Sequence, residues 1–156
     1  MKIRPYQETD AECTMTLYNE TNIIHNFPDF SKKQKDVMLH YDIAIFNETM
    51  LLDTTLIIII EKTKKIVGFI MMKDDGYINY LYVKYNSINS GYGKNLIKEI
   101  EKIAKNKGIT KLSLFATKYA SKNKIYEKLG FTNLGLNEHY INGILFELNK
   151  MEKSLI

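Results

Sequence analysis

The sequence predicts a mixed α/β domain: a twisted, mostly antiparallel sheet of about seven strands flanked by about four helices. Three observations carry that expectation. A near-continuous aliphatic run, Thr55 to Glu61, is followed by two β-branched and aromatic runs separated by turn signals, which reads as an antiparallel meander. A glycine turn, Gly91-Tyr92-Gly93, then leads into an amphipathic helix with Leu96, Ile97, Ile100, Ile103 and Ala104 at the 3.6-residue period. Near the C-terminus, Asn142-Gly143 joins two further runs as a two-residue hairpin. Strands and helices so interleaved make one mixed sheet. A chain of 156 residues suits a single domain, 1–156, with a real core.

Taken in order, Lys2 to Tyr6 reads as a short strand. Thr9 and Glu12 have capping-box spacing for a helix to about Glu20. Thr21 to Phe30 is expected to be irregular, broken by Pro28 and Asp29. Ser31 and Gln34 form a second capping box, opening a helix with Val37, Met38, Tyr41, Ala44 and Ile45 on one stripe. Thr55 to Glu61 is the strand expected to be buried on both faces. The lysine turn Lys62-Lys65 leads to a strand from Ile66 to about Met72, and Asp75-Gly76 turns the chain into Tyr77–Val83. The helix after the glycine turn stops at Gly108, with Lys102, Lys105 and Lys107 in its last turn. Lys111 to Ala116 is a fifth strand, a helix from about Ala120 ends at Gly130, and Phe131–Ile141 and Ile144–Lys150 are the hairpin strands. From Met151 the chain is expected to fray.

Composition narrows the function classes. Net charge is +4 with scattered lysines and no dense basic cluster, so nucleic-acid binding is not expected. Leu56 to Ile60 is too short to span a bilayer, and Pro5, Glu8 and Asp10 interrupt the N-terminus, so neither a membrane association nor a signal peptide is expected. Cys13 is the single cysteine, which leaves no intrachain disulfide and points to the cytoplasm. On its helix it reads as a small buried hydrophobe rather than a nucleophile. The three histidines lack metal-ligand spacing, and no metal is expected.

A helix N-terminus offers unpaired N–H groups and a partial positive charge, and glycines let an anion approach. Strand Tyr77–Val83, the glycine turn and the helix thus read either as a pyrophosphate cradle or as a tight connection. Two motifs decide between them. Leu81-Tyr82-Val83 through Gly91-Tyr92-Gly93-Lys94 is similar to the coenzyme A pyrophosphate motif, Arg/Gln-x-x-Gly-x-Gly/Ala, of the GNAT superfamily of acetyl-CoA-dependent N-acetyltransferases. Ile125-Tyr126-Glu127-Lys128-Leu129-Gly130-Phe131 resembles the Tyr-Glu-Lys-Leu-Gly-Phe segment frequent in that family. Together the motifs span about Ile66 to Phe131, and the element order extends the resemblance to nearly the whole chain.

The resemblance implies acetyl-CoA as co-substrate and transfer to a primary amine of a small molecule or peptide, by direct attack through a tetrahedral intermediate. It implies a cofactor site of Leu81, Tyr82, Val83, Ile88, Asn89, Ser90, Gly91, Tyr92, Gly93, Lys94 and Asn123, with Tyr126 as general acid. An N–H of Tyr82 or Val83 would face the thioester oxygen. Three departures stand out: Ile88 takes the usual Arg/Gln position, Tyr119 replaces an asparagine that contacts the pantetheine arm, and Asn79 replaces a glutamate that serves as base. An amide takes no proton at neutral pH, so the base is open among water oriented by Asn79, His139 and His25; an amine of low pKa would need little help. The acceptor pocket is expected among Tyr18, His25, Phe27, Phe30, Tyr41, Glu138, His139 and Tyr140, and a homodimer is expected by analogy. A non-catalytic acyl-CoA-binding or sensing module is the alternative, kept open by Asn79 and Ile88 and opposed by Tyr126.

Overall fold

The computed structural model describes the backbone of residues 1–51, 55–118 and 120–156, and their side chains outside 55–61 and 120–123. Tyr119 and the side chain of Asn123, both singled out above, lie outside the described residues, as do the side chains of Thr55 to Glu61. Lys2–Pro5 (β1), Thr55–Lys62 (β2), Lys65–Lys73 (β3) and Ile78–Val83 (β4) form one antiparallel sheet in that order. Lys111–Thr117 (β5), Thr132–Ile141 (β6) and Ile144–Ser154 (β7) form a second, in the order β5-β7-β6. The helices are Ala11–Thr21 (α1), Lys32–Met38 (α2), Ile43–Met50 (α3), Tyr92–Asn106 (α4) and Ala120–Lys128 (α5). Among the described residues no helix is long and apolar enough to cross a membrane.

The expected single sheet is in fact two, and the join between them creates the site. At the start of β4, Tyr77 bridges Ser113 of β5 in parallel, and Ser113 N–H donates to Gly76 O at 3.1 Å. The turn before β4 passes very close to β5: a Cβ on Gly76 would stand 2.2 Å from Lys111 O, and its φ of +88° is left-handed. This is the place where glycine is required. One step on, β3 pairs Met71 with Tyr80 but Met72 with Ile78, so Asn79 is an extra, bulged residue. The bulge resets the alternation of β4. Ile78, Leu81 and Val83 pack with α4, whereas Tyr80 and Tyr82 pack with α1 and α3.

Two cores lie on opposite faces of the first sheet. Ile70, Met72, Leu96, Ile97, Ile100, Leu112, Leu114 and Met151 belong to one, and Leu17, Tyr18, Phe46, Met50, Phe69 and Met71 to the other. β3 alternates between them, which is why it is apolar at every central position.

Several local expectations are corrected. Asp10, not Thr9, organises the start of α1: it accepts from Gln7 N–H at 2.7 Å and from both Arg4 guanidinium nitrogens at 2.7 and 2.8 Å. Those hydrogen bonds from Arg4 hold the carboxyl below its usual range. The segment after Thr21 is not irregular but runs on as a π-helical turn, Asn22–Asn26, closed by Phe27 N–H donating to Asn22 O at 2.8 Å. Ser31 and Gln34 do form the capping box, at 3.2 and 2.9 Å.

The helix expected to run through Ile45 instead breaks after Met38. Asn19 grips the backbone of His40 in both directions, at 2.6 and 3.0 Å, and Tyr18 OH donates to Met38 O at 2.6 Å. Asp42 then caps a new helix by accepting from Ile45 N–H at 3.1 Å. As a result Tyr41, Ala44 and Ile45 are exposed, and Phe46 and Met50 carry the burial. Cys13 is exposed, because the buried stripe of α1 is Ala11, Thr14, Leu17, Tyr18 and Thr21. The C-terminus does not fray at Met151. That residue is fully buried, β7 continues to Ser154, and Leu155 N–H donates to Thr110 O at 2.8 Å.

Candidate active site

Beyond the Tyr77–Ser113 bridge, β4 and β5 enclose a cleft of about 310 Å³. One wall is the edge of β4, with Asn79, Leu81, Tyr82 and Val83; the facing wall is Leu114 to Thr117 of β5. Backbone groups of two unpaired parallel strand edges line such a cleft, and an extended amide-bearing chain between them would act as an added strand. The far end opens onto the start of α4. Ile88, Asn89, Gly91, Tyr92, Gly93 and Lys94 all line it, whereas Ser90 of the expected set is not part of the wall.

The α4 end presents backbone N–H groups that the helix itself leaves unused. Asn95 N–H donates to Gly91 O at 3.1 Å, so the N–H groups of Tyr92, Gly93 and Lys94 precede the helix ladder. Gly91 has φ +83°, and a Cβ there meets nothing within 4 Å; its glycine serves the backbone conformation. Gly93 differs. Its φ is ordinary and a Cβ would make only van der Waals contact with Val83 at 3.7 Å, so the protein itself does not demand glycine there. Asn89, at φ +67°, bends the preceding loop around the same space. Ile88 lines it without charge, and Lys94 is exposed beside it.

Tyr126 enters the cleft from α5, its ring edge-on to Phe131 with centroids 6.0 Å apart. Burial pushes its phenol up to about 12. The α5 end is fixed by Lys153, whose Nζ donates to Leu129 O at 2.7 Å and to Glu101 at 2.5 Å, while Leu129 and Phe131 N–H donate to Tyr126 O at 3.0 Å. Tyr126 thus sits on a pinned helix end.

The other side of the cleft is built from distant segments. Thr21, His25, Asn26 and Phe27 arrive from the end of α1 and its π-helical turn, and Phe115 and Thr117 from β5. Thr21 Oγ1, Asn79 Oδ1 and Thr117 Oγ1 are buried and have no hydrogen-bond partner, unusual for groups inside a protein. Thr21, Asn26, Phe115 and Thr117 were not anticipated as site residues. The end of α1 and the π-helical turn that continues it put the first two there, and β5 contributes the last two.

Of the expected acceptor residues, His25 and Phe27 reach the wall. Phe30 stands behind, stacked on Phe27 at 4.7 Å and edge-on to Phe146. His139 is behind Phe115, with rings 4.2 Å apart and a buried Nε2 that lacks a partner. Tyr18 is core, packed among Tyr80, Tyr82 and His40. Burial raises these three tyrosines and lowers His40. Tyr41, Glu138 and Tyr140 are exposed away from the cleft wall.

Known proteins with this architecture include a GCN5-related N-acetyltransferase from Rhodopseudomonas palustris, 27% identical, with 98% of this chain and 94% of that one covered at a TM-score of 0.86. The PaiA N-acetyltransferase of Thermoplasma acidophilum, solved with coenzyme A, superposes over 98% of both chains at 22% identity and TM-score 0.77. An aminoglycoside 6′-N-acetyltransferase solved with coenzyme A covers 100% of this chain and 98% of its own at 16% identity and TM-score 0.76. The last two share the fold. No curated protein sequence matches the chain. A family profile described as an acetyltransferase (GNAT) domain matches residues 26–155, from the π-helical turn to the last strand, and the chain therefore belongs to the GNAT family of acetyltransferases.

Proposed function

We propose that the protein transfers an acetyl group from acetyl-CoA to a primary amine of a small molecule or peptide, with Tyr126 as general acid. The observation that carries this reading is the convergence of the α4 N-terminus, the β4 edge and Tyr126 on one cleft. The cleft suits the cofactor. Gly93 is a glycine with no internal reason to be one, and the N–H groups of Tyr92 to Lys94 are ones a pyrophosphate would take up. Leu81 to Val83 would pair with the pantetheine amides, and Ile88 to Lys94 would wrap the pyrophosphate.

Bound acetyl-CoA supplies an activated thioester: the amine nitrogen adds to the thioester carbon to give a tetrahedral intermediate, whose collapse breaks the C–S bond, and one proton passes overall from nitrogen to sulfur. Tyr126 is protonated throughout the neutral range, because burial favours the uncharged phenol. The same burial makes it a weak acid, so it gives its proton only to a sulfur that already carries most of the charge of the broken bond. The backbone of β4 beyond the bulge, with Tyr82 or Val83 N–H, would hold the developing oxyanion.

The alternative is a module that binds acyl-CoA without transfer. Asn79, an amide at the position of the family's carboxylate base, is the observation that favours it. Incubation with acetyl-CoA and a panel of polyamines, aminoglycosides, amino acids and short peptides, followed by release of thiol, separates the two. Release with at least one amine is expected; coenzyme A binding without release from any amine overturns the enzyme reading in favour of the module.

A further inference from the structure

We propose that Asn79 Oδ1 and Thr21 Oγ1 hold the nitrogen of the acceptor, and that this acceptor is an amine of low pKa that keeps a substantial neutral fraction near pH 7, such as the α-amine of a peptide. The inference rests on the acetyl-transfer reading above.

Asn79 is the extra residue of the β4 bulge, a device that turns a side chain out of the strand's alternation. Its Oδ1 is buried without a partner, as is Thr21 Oγ1, on a residue 2% exposed at the last position of α1, and both residues line the cleft. Leaving such a group unpaired destabilises the fold, and a ligand donor would offset that cost. An amide oxygen accepts a hydrogen bond but takes no proton. It can therefore orient a neutral amine, whose N–H points at Oδ1 while its lone pair remains available for attack. An ammonium ion has no lone pair, and this oxygen cannot create one.

The titratable groups around Asn79 do not replace the missing base by default. Tyr80 and Tyr82 on β4, Tyr18 on α1 and Tyr126 on α5 are all kept protonated by burial. Lys94 lines the pyrophosphate end. His25 on the π-helical turn lines the cleft, and His139 on β6 stands behind Phe115. Among the described residues lining the cleft there is no carboxylate. The imidazoles are the groups the test must exclude.

The consequence is large. At pH 7 an α-amine of pKa about 7.8 is roughly 14% neutral, and an ε-amine of pKa about 10.4 roughly 0.04%, a ratio of about 300. The test compares two probes at saturating acetyl-CoA: a tetrapeptide amide with an unblocked α-amine, and an Nα-acetylated peptide with one lysine. The acceptor kcat/KM is expected to rise with pH to each probe's own amine pKa, with the α-amine preferred about 10²-fold at pH 7 and the two converging above pH ~10. Thr21→Val is expected to raise the acceptor KM about tenfold at unchanged acetyl-CoA affinity, with Thr21→Ser restoring it. Asn79→Glu supplies a base and moves both probes to one shared, lower acid limb. Retained coenzyme A affinity and far-UV circular dichroism show that each variant is folded.

A shared limb in the wild type, lost in His25→Gln or His139→Gln, overturns the inference and makes that imidazole the base. Equal rates for the two probes at pH 7, or an acceptor KM unmoved in both Thr21→Val and Asn79→Glu, also overturn it. No thiol release from either probe or the wider amine panel defeats the acetyl-transfer reading itself, whereas release with a shared limb defeats only the inference.

Discussion

The two sides of the cleft are built differently. The side proposed for the cofactor comes from two compact stretches of chain, the turn–strand–loop–helix segment from Gly76 to Ile100 and the β5–α5 segment ending at Phe131, and it is backed by the larger core. The side proposed for the acceptor gathers a helix end, a π-helical turn and residues of β5. On the cofactor side, polar capacity sits in backbone N–H groups ahead of a helix. On the acceptor side it sits in side-chain oxygens without partners. The first arrangement suits a ligand shared across a family and the second a ligand particular to one member, because backbone is common to all sequences and side chains are not.

The largest expected effect tests whether the chemistry belongs to the cofactor side. Tyr126→Phe should lower kcat by about 10²–10⁴-fold while the acetyl-CoA dissociation constant stays within about twofold, as read by steady-state kinetics and calorimetry. Wild-type turnover would move proton delivery elsewhere. With the hydroxyl in place, no alkaline limb is expected below about pH 11, since Tyr126 loses its proton only near 12.

Next comes the join that separates the two sides. Gly76→Ala places a Cβ against Lys111 O in a left-handed backbone, and should cost about 2–4 kcal/mol in a denaturant titration. Gly91→Ala, where only φ is unfavourable and space is open, should cost about 1 kcal/mol. Equal costs would show that the β4–β5 approach is not what Gly76 serves.

Smaller effects sharpen the anion end. Ile88→Arg should tighten coenzyme A binding about tenfold by adding a charged donor to the loop. Gly93→Ala should weaken it about tenfold with little change in Tm, because the added methyl is tolerated by Val83 but not by a phosphate lying on the helix start. A Tm that falls with Gly93→Ala would return that glycine to a purely structural role.

The least site-specific prediction concerns the tyrosines. Tyr6 and Tyr126 are raised to about 12, and Tyr18, Tyr80 and Tyr82 are raised by burial. The folded state then keeps protons that the unfolded chain releases from about pH 10. Their contribution is complete below pH 10 and is lost as the pH rises toward 12. Thermal melts should therefore weaken steeply above pH 10, and a flat profile to pH 11 would contradict the burial of this cluster.

What could be read in advance follows the same division. The glycine turn, the α4 stripe and the Tyr126–Phe131 segment were legible because each is a local pattern whose geometry needs no distant partner. The break between α2 and α3 was not legible: Val37 to Ile45 keeps a helical period, and only the grip of Asn19 and Tyr18 from another helix ends it. Met151 looked like a tail because its strand partner, Leu114, is far away in sequence. The bulge at Asn79 leaves no compositional mark at all.

By itself, then, the sequence determined the fold class and the family, and it supplied the proposal for where a pyrophosphate would lie, since local periodicity, turn chemistry and helix ends are properties of neighbouring residues. Tertiary structure decided that the two sheets meet at Gly76 and Ser113 and part beyond them, that Thr21 and Thr117 line the same cleft as Asn79, and that His139 stands behind Phe115. Those facts depend on strand register and on which groups remain unpaired after packing, and both are settled only when segments distant in the chain meet.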